Sequence, residues 1–456
     1  MTATERAAGA AADPLAVADR VVALVRERAA SAEIEATVTF GTEALTRFAN
    51  GFIHQNVAEE RSHVLLRVAL DGRVASVRLD GPTTDERLTG LVDSALDAAR
   101  ARPVDPDWAG VAPVAAAPEV EHWDEATATA SPDDRATLVA AFVAAGDGLE
   151  TAGFCSTSAR VVAFANSAGQ RLSGRSTLAA IDGIARTPTS DGSGRAAAVG
   201  IGALDGRAVG DRAARKAHDG AGPGELEPGR YEVILEPQAV ANVLQFLFVH
   251  GFSARPVEEG RSFVRFGEAQ FDRSITLRDD VTDPGSWGLP FDAEGTPKRR
   301  LDVVRAGVTS AVLHTRRTAA RAGAASTGHA IEDGEAFGGL PNNPVLEAGD
   351  RTANGLVEGV GRGLLVTDFW YTRILDPRTQ VVTGLTRNGV WLIEEGRVVR
   401  PVRNLRFTQS FLEALGPGRV KAIGAEPALV PAGYDGVHLV PSLHLASWNF
   451  TGGARG

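Results

Sequence analysis

The sequence offers very little sulfur chemistry. Its 456 residues include a single cysteine, Cys155. One thiol excludes an internal disulfide framework and any zinc or iron–sulfur site that needs several thiolates. Because Cys155 follows Gly-Phe in an apolar context, we expect it to be a buried packing residue rather than a nucleophile.

The sequence also lacks long apolar runs and an excess of positive charge. It has no stretch of about 18 uncharged apolar residues, which a membrane-spanning helix needs. The beginning, "MTATERAAGAAADP", has no basic region followed by an apolar one, as a secretion signal would. With 47 Lys and Arg against 57 Asp and Glu the net charge is −10, whereas binding to phosphate backbones needs a basic surface. These features predict a cytoplasmic protein that binds neither membranes nor nucleic acids.

The length and the hydrophobic patterns predict an α+β protein of three segments. Segment 14–102 shows amphipathic helices near both ends of a mostly antiparallel sheet, with a hairpin turn at Asp71-Gly72. Segment 119–222 follows a Pro/Ala-rich linker, begins with a helix capped by Ser131 and ends with a helix over 206–218. Segment 229–453 predicts a large, mostly β domain, with helices over 238–250, 299–306 and 409–415.

The helix predicted over 238–250 carries a single histidine. Zinc peptidases with an H-E-x-x-H motif place two histidines on one helical face, and the glutamate acts on the metal-bound water. Here the helix offers Gln245, Phe246 and His250. An amide is a poor zinc ligand, a phenyl ring accepts no proton, and a histidine near a helix end is favoured by the helix dipole. The residues alone therefore favour a core helix over a metal site and leave open whether the helix is the remnant of one.

Acidic residues are concentrated in the stretch 275–308. Paired carboxylates can bind calcium or act as acid and base, but the spacing here differs from that of an EF-hand. Asx-type turns that hold an irregular loop are the favoured interpretation. The acidic side chains of this stretch are Asp279, Asp280, Asp283, Asp292 and Glu294.

A glycine-rich loop over 321–350 is the second candidate for a binding surface. Ser326 and His329 lie in it, and together with Asp279 and Asp280 they are predicted to line a cleft. No G-x-S-x-G elbow, Walker A motif, dinucleotide fingerprint or clustered Cys/His set occurs in the sequence, so we assign no catalytic residue. The remaining histidines are expected at the surface or in hydrogen bonds: His54, His63, His122, His218, His314, His438 and His444.

Taken in order, motifs from about residue 40 to residue 453 resemble the TldD/PmbA family of zinc-dependent peptidases. Each is weak alone, but their order is specific. The motifs are "FANGFIHQNVAEERSHVLLRV", "VVAFANSAGQRLSGRST", "GRYEVILEPQAVANVL", "LRDDVTDPGSWGLPFDAEGTPKRRLDVVRAGV", "STGHAIEDG", "GVGRGLLVTDFWYTRILDPRTQVVTGLTRNGVWLIEEGRV" and "PSLHLASWNFTGG".

The resemblance implies a three-segment fold and a dimer in which a metal-bearing TldD-type subunit pairs with a TldE-type subunit. It also implies proteolysis of extended or unfolded peptides, including maturation of a peptide antibiotic. An extended substrate suits a sheet-rich cleft, because strand addition binds the peptide backbone.

The resemblance also bears on individual positions. The metal-bearing subunits carry H-E-x-x-x-H on the helix after "LEP" and a third ligand, a cysteine, near the C-terminus. In this sequence Gln245 and Phe246 replace the first histidine and the glutamate, His250 keeps the last histidine, and the C-terminal stretch has no cysteine. The chain thus resembles the TldE/PmbA side, with no zinc of its own and zinc in the partner. Phe246 and Phe248 are then expected to pack in the core or at the dimer interface.

Two other hypotheses remain open. The chain could be a stand-alone hydrolase of a specialised peptide or natural-product pathway, with Asp279, Asp280, Asp292 or Glu294 as acid and base. It could also be a non-catalytic peptide-binding protein, including a homodimer.

Overall fold

A single antiparallel sheet organises the N-terminal half of the chain, in the computed structural model that describes residues 13–431 and 436–453. Its strands are β1 Glu33–Ala49, β2 Phe52–Leu70, β3 Arg73–Asp80, β4 Glu150–Asn166, β5 Arg171–Thr187 and β6 Ser190–Ala198. Their order in space is β3-β2-β1-β4-β5-β6. Because β1 pairs with β4, the predicted segments 14–102 and 119–222 share one sheet; the limits of the three segments stay a prediction.

Helices cover one face of this sheet, and the other face is turned to the rest of the chain. The helices are α1 Pro14–Arg28, α2 Asp85–Ala101, α3 Glu125–Ala128, α4 Pro132–Ala145 and α5 Gly206–Asp219, with a 3₁₀ turn at Ile201–Ala203. Val21 of α1 and Leu91 of α2 belong to the same buried cluster as Ile34 of β1. Side chains alternate across a strand, so Glu35 and its cross-strand neighbour Arg67 lie on the opposite face.

Local sequence signals account for several ends of these elements. Ser131 forms a capping box at the start of α4, with Pro132 in the first turn, as predicted. Asp71 and Gly72 have φ values of 48° and 74°, which is the left-handed pair that a two-residue type I′ hairpin requires. α1 ends at Arg28, where the chain turns to enter β1.

The C-terminal half is mostly sheet. Its helical elements are α6 Pro237–Leu247, a π-helical turn Phe248–Phe252, α7 Ala254–Glu258, α8 Arg316–Ala322, α9 Ala353–Glu358 and α10 Phe411–Ala414. Its strands are β7 Gly229–Leu235, β8 Leu277–Asp279, β9 Leu301–Arg305, β10 Val308–Thr309, β11 Pro344–Leu346, β12 Arg362–Asp376, β13 Val381–Glu394, β14 Arg397–Pro401, β15 Leu405–Ser410, β16 Val420–Ile423, β17 Ala428–Pro431, β18 Val437–Val440 and β19 Leu443–Gly453. None of the helices in the described segments is long and apolar enough to cross a membrane.

One of the two C-terminal sheets closes on itself. Its strand order is β12-β7-β19-β15-β13-β14, β12 also pairs with β13, and β16 adds to β19. The second sheet has the order β10-β9-β8-β11-β18-β17. α6 follows β7 directly and buries Val240, Leu244 and Leu247 completely in the core of this half. The predicted α+β class, an N-terminal α+β region with an antiparallel sheet before a mostly β region, is confirmed.

Two predicted C-terminal helices need correction. The stretch 299–306 contains the strand β9 instead of a helix, because the β-branched pair Val303 and Val304 is buried in the sheet. Ala306 and Gly307, with φ values of 46° and 83°, then turn the chain into β10. The helix predicted over 409–415 begins only at residue 411, since Ser410 ends β15 and caps α10.

Phe142 of α4 supports a test of how the helices are held on the sheet. It is fully buried, its ring centroid lies 5.2 Å from that of Phe48, and the ring packs over Gly183. We expect Phe142→Ala to lower the free energy of unfolding by roughly 3–5 kcal/mol, measured by denaturant titration. The control Phe52→Ala, at a ring that is 58% exposed, should change it by less than about 0.5 kcal/mol. Equal effects would contradict the packing described.

Cys155 is fully buried in β4, and burial raises the pKa of its thiol to about 12. The thiolate is the reactive form, so the native protein should resist alkylation by iodoacetamide at pH 8. The same reagent should modify one thiol per chain in guanidinium chloride, measured by mass spectrometry. Rapid alkylation of the native protein would contradict the assignment of Cys155 as a packing residue.

Candidate functional site

The helix α6 has one buried face and one half-buried face. The buried face packs in the core, whereas Asn242, Gln245 and Phe246 on the other face keep part of their surface exposed, as does His250 just beyond the helix. These positions lie three, four and eight residues along from Asn242, as one face of a helix requires. The sequence therefore folds the predicted motif positions onto a single surface.

Aromatic contacts occupy this surface. The rings of Phe246 and His250 are stacked with their centroids 5.7 Å apart, and Phe246 meets Phe411 of α10 edge-on at 5.9 Å. Burial lowers the pKa of His250, and the positive charge of Arg261 lowers it further. Both effects disfavour the protonated imidazole beside the ring of Phe246. Phe248, by contrast, is fully buried in the core.

His250 lies in a π-helical turn, Phe248–Phe252, that follows α6 directly. Such a turn holds one residue more than an α-helical turn and is frequent at functional sites. Its geometry depends on Gly251, since a Cβ atom there would lie 1.9 Å from the ring of Phe263.

The donors on this surface do not fit a zinc site. Catalytic zinc in proteins takes three ligands from His, Asp, Glu or Cys side chains, whereas this surface offers an amide, a phenyl ring and one imidazole. Across residues 13–431 and 436–453, no three His, Cys, Asp or Glu side chains are grouped so that they could hold a metal ion. The C-terminal stretch in which the family has its third ligand includes residues 432–435. These four residues lie outside the described part of the chain.

The structure brings Asp279 and His329 together. Asp279 is buried, accepts hydrogen bonds from the backbone N–H groups of Asn342 and Asn343 at 3.0 and 2.9 Å, and lies 3.2 Å from His329 Nε2. His329 Nδ1 lies 2.8 Å from the hydroxyl of Thr327. Burial alone would raise the pKa of Asp279, but His329 and the other partners hold it below its usual value.

The carboxylates of Asp280, Asp292 and Glu294 accept hydrogen bonds, mostly from backbone N–H groups. Asp280 accepts hydrogen bonds from both the N–H and the hydroxyl of Thr282. Asp292 accepts from the N–H groups of residues 294, 296 and 330, and Glu294 accepts from that of Arg316. Ser326 lies apart from this network, in the lining of a cavity of about 330 Å³. Asp280 and Asp292 thus form the Asx-type turns that the sequence favoured.

Several buried ionisable groups were missed by the sequence reasoning, Lys298 and Glu35 among them. Lys298 is 6% exposed, its Nζ lies 3.4 Å from Asn343 Oδ1, and burial lowers its pKa to about 8. Glu35 is 4% exposed and pairs with Arg67 at 3.0 Å. Lys298 stands in a run of basic residues and Glu35 in an alternating strand, and both patterns are typical of exposed positions.

Six of the remaining seven histidines lie at the surface or in hydrogen bonds, as expected. His54 and His218 are exposed. His438 is the most deeply buried, its Nδ1 lies 3.1 Å from the carbonyl oxygen of Ala241 in α6, and burial lowers its pKa to about 4. His63 lies 3.1 Å from Glu332. His122 and His314 make hydrogen bonds as well. His444 departs from the expectation: it is buried and lies 3.3 Å from Glu232, but its Nε2 makes no hydrogen bond to the described residues.

Comparison with known proteins identifies the family. Residues 228–452, which include α6 and both C-terminal sheets, match the family model of the PmbA/TldA metallopeptidase C-terminal domain. The chain belongs to the TldD/PmbA family. Among curated relatives, a protein named metalloprotease from Methanothermobacter thermautotrophicus is 25% identical over 256 residues, which are 51% of this chain and 53% of that protein. The chain thus spans about half the length of that relative.

Solved structures share the fold over nearly the whole chain. TldE from Thermococcus kodakarensis has a TM-score of 0.87 at 18% identity, with 96% of this chain and 100% of that chain covered. A proposed modulator of a DNA gyrase from Thermotoga maritima has a TM-score of 0.84 at 18% identity, with 96% and 99% covered. The fold is therefore retained where fewer than one residue in five is shared.

The buried pair of Asp279 and His329 leads to a prediction about stability. We expect Asp279→Asn to lower the free energy of unfolding at pH 7 by roughly 3–5 kcal/mol, because it leaves buried groups without their charged partner. The folded-state pKa of Asp279 is depressed, so its contribution is present above the unfolded pKa and is lost as the pH falls through the folded pKa. Denaturant titrations should therefore show the difference from the unmodified chain shrinking below about pH 4.

The matched control is Asp350→Asn, at a side chain that is 92% exposed. It should leave stability within about 0.5 kcal/mol at every pH. A constant deficit of Asp279→Asn from pH 7 down to pH 2 would contradict an ionised Asp279 in the native protein.

Proposed function

We propose that this chain is the TldE/PmbA-type subunit of a two-subunit metallopeptidase, and that a TldD-type partner carries the zinc. The pair acts on extended or unfolded peptides in the cytoplasm. The observation that carries the proposal is the surface of α6, where Phe246 stacks on His250 at the positions of the family's metal motif. An amide and a phenyl ring in place of a ligand and a general base leave this chain without means to activate water.

Exposed aromatic side chains beside α6 support the two-subunit arrangement. Trp370 and Tyr371 of β12 are 46% and 68% exposed, and Leu375 in the same strand is 59% exposed. Asn242 of α6 donates a hydrogen bond to the neighbouring Thr372 at 3.2 Å, so this group lies next to the motif surface. Aromatic residues are enriched at protein–protein interfaces, and we assign this surface to the TldD-type subunit.

A stand-alone hydrolase that uses carboxylates is the second candidate. Burial raises the pKa of Asp292, and burial together with the charge of Asp292 raises the pKa of Glu294 to about 7. A pKa near 7 at Glu294 suits a general acid. The hydrogen bonds that both carboxylates accept from the backbone favour a structural role, and so does the burial of Asp292. A non-catalytic peptide-binding homodimer is the third candidate.

The decisive experiment combines metal analysis with reconstitution. The chain is purified alone, its zinc is measured by plasma mass spectrometry, and hydrolysis of a fluorogenic extended peptide is followed before and after adding a homologue that keeps H-E-x-x-x-H. We expect substoichiometric zinc and no hydrolysis by the chain alone, and at least tenfold more hydrolysis by the mixture than by the homologue alone. The rate should saturate at one chain per homologue.

Matched variants separate the candidates. Replacing the motif glutamate of the added homologue by glutamine should abolish hydrolysis by the mixture, whereas Glu294→Gln in this chain should leave at least half of it. The reverse pattern, or hydrolysis by the chain alone that Glu294→Gln removes, would establish the carboxylate hydrolase instead. Stoichiometric zinc in the isolated chain, or no association with the homologue, would contradict the two-subunit proposal.

A further inference from the structure

Part of the strand β5 has a neighbouring strand on one side only. β5 pairs with β4 from Arg171 to Arg186, but it pairs with β6 only from Ala179 to Thr187. No other strand within residues 13–431 and 436–453 pairs with residues 171–176. These residues, the open edge of β5, therefore end the sheet on that side.

Backbone groups of the open edge point away from the sheet. The N–H group of Thr177 donates to the carbonyl oxygen of His122 at 2.8 Å, so it faces away from β4. In an antiparallel strand the backbone groups of every second residue point to the same side, which places those of Arg171, Ser173 and Arg175 on the open edge. In the described part of the chain, the N–H and C=O groups of Ser173 and Arg175 have no hydrogen-bond partner on that side.

The linker runs beside the open edge without pairing with it. The side chain of Gln170 hydrogen-bonds to both backbone groups of Ala115 at 3.0 Å, and at the other end His122 binds Thr177. Between these contacts, residues 116–121 make no hydrogen bond to β5 among the described residues. The linker thus flanks the edge and leaves its backbone groups unpaired.

A cavity of about 780 Å³ lies between linker residues 114–120 and residues 169–175, and its volume is in the usual range of ligand sites. Packing fixes the strand that forms one wall. A Cβ atom at Gly174 would lie 2.9 Å from Cδ of Pro290, and Leu172 is buried in a cluster with residues of β4. The open edge is therefore preformed, and a ligand does not have to order it.

The charged side chains of this cavity favour neither sign of charge. Arg171 donates to Asp19 of α1 at 3.0 Å. Arg175 lies over the ring of Trp123 at 5.0 Å, and Glu119 belongs to the linker wall. Neither Arg175 nor Glu119 has an ion pair among the described residues, and their charges are opposite. The unpaired backbone groups are therefore the main feature that a ligand can recognise.

We propose that this cavity binds an extended peptide, which adds to the open edge of β5 as a further strand. The peptide backbone hydrogen-bonds to the N–H and C=O groups of Ser173 and Arg175, and its side chains contact the linker wall. About five residues fit along the edge, because a strand rises about 3.3 Å per residue. Strand addition recognises the main chain and so accepts many sequences.

The linker decides which kind of partner fits. An unprotected strand edge pairs readily with the edge of another sheet. Here the linker is fixed to the β4–β5 hairpin at Ala115 and His122, so it leaves space for a single chain and excludes a second sheet. A lone extended peptide is therefore favoured over a second copy of the protein. The cavity belongs to the N-terminal sheet and needs no partner subunit.

Fluorescence anisotropy of the full chain with labelled peptides tests the proposal. The probe is fluorescein-labelled Thr-Val-Thr-Val-Thr amide. Its matched control carries N-methyl groups on the third and fourth residues, which remove one donor from each edge of the peptide. We expect saturable binding of the probe and about tenfold weaker binding of the control. A second probe, Val-Ser-Val-Ser-Val amide, should bind within about threefold of the first, because the backbone is recognised.

Matched variants of the chain locate the site. Ser173→Pro removes a donor from the open edge and breaks no hydrogen bond to β4, because that N–H group faces away from β4. We expect it to weaken binding about tenfold. The control Ser173→Ala loses the hydroxyl but keeps the N–H group, and it should bind like the unmodified chain. Thermal unfolding of both variants establishes that they are folded.

Hydrogen exchange of the unmodified chain locates the peptide without any substitution. Saturating probe should slow exchange about fivefold or more in the fragments that cover residues 171–176, measured by mass spectrometry. The matched control is the strand at the opposite edge of the same sheet, β3. Its exchange should stay unchanged.

Several outcomes would overturn the proposal. They are no binding of either probe up to about 1 mM, equal binding of the N-methylated control, slower exchange only outside residues 171–176, or full affinity in a folded Ser173→Pro. Self-association of the chain that Ser173→Pro abolishes would assign the edge to a second copy and overturn it as well. None of these measurements uses the TldD-type homologue. Their failure would leave the two-subunit proposal intact, and the reconstitution experiment tests that proposal separately.

Discussion

The antiparallel pairing of β1 with β4 is the constraint on which the molecule depends. It runs from Glu35 opposite Asn166 to Ala49 opposite Ala152. It joins two strands that are separated along the chain by two further strands, three helices and a long linker. Once they are joined, the alternation of side chains along β1 and β2 assigns a role to each face. Helices pack on the apolar residues of one face. The C-terminal loops contact the polar residues of the other face, such as His63 and Arg67, through ion pairs, and Glu35 pairs with Arg67 on that face.

Much of the fold could be predicted from local signals, because turns and caps are decided by a few neighbouring residues. The turn at Asp71-Gly72 and the helix cap at Ser131 were predicted correctly. The strand β9 was missed because its short stretch of sequence allows both a helix and a strand, and only its pairing with β8 and β10 decides the matter. Glu35 and Lys298 were missed for the same reason, since their burial is caused by distant loops.

The candidate site follows a similar division. The replacements at Gln245 and Phe246 can be read from the sequence once the family motif is known. The stacking of Phe246 on His250 depends on packing against α10. The π-helical turn that contains His250 depends on packing against Phe263. Neither contact can be read from the sequence. The meeting of Asp279 with His329 likewise joins residues fifty positions apart, and the sequence had only placed both of them near a cleft.

The closed sheet of the C-terminal half also constrains the order of folding. β7 precedes α6 by a single residue, yet its hydrogen bonds are made with β12 and β19. β19 is more than 200 residues further along the chain, at Leu443–Gly453. Contacts of such long range are slow to form, so during synthesis the apolar side of α6 stays uncovered while the intervening chain is made. The helix on which the family's metal motif lies is thus among the first parts of this half to be synthesised and among the last to be enclosed.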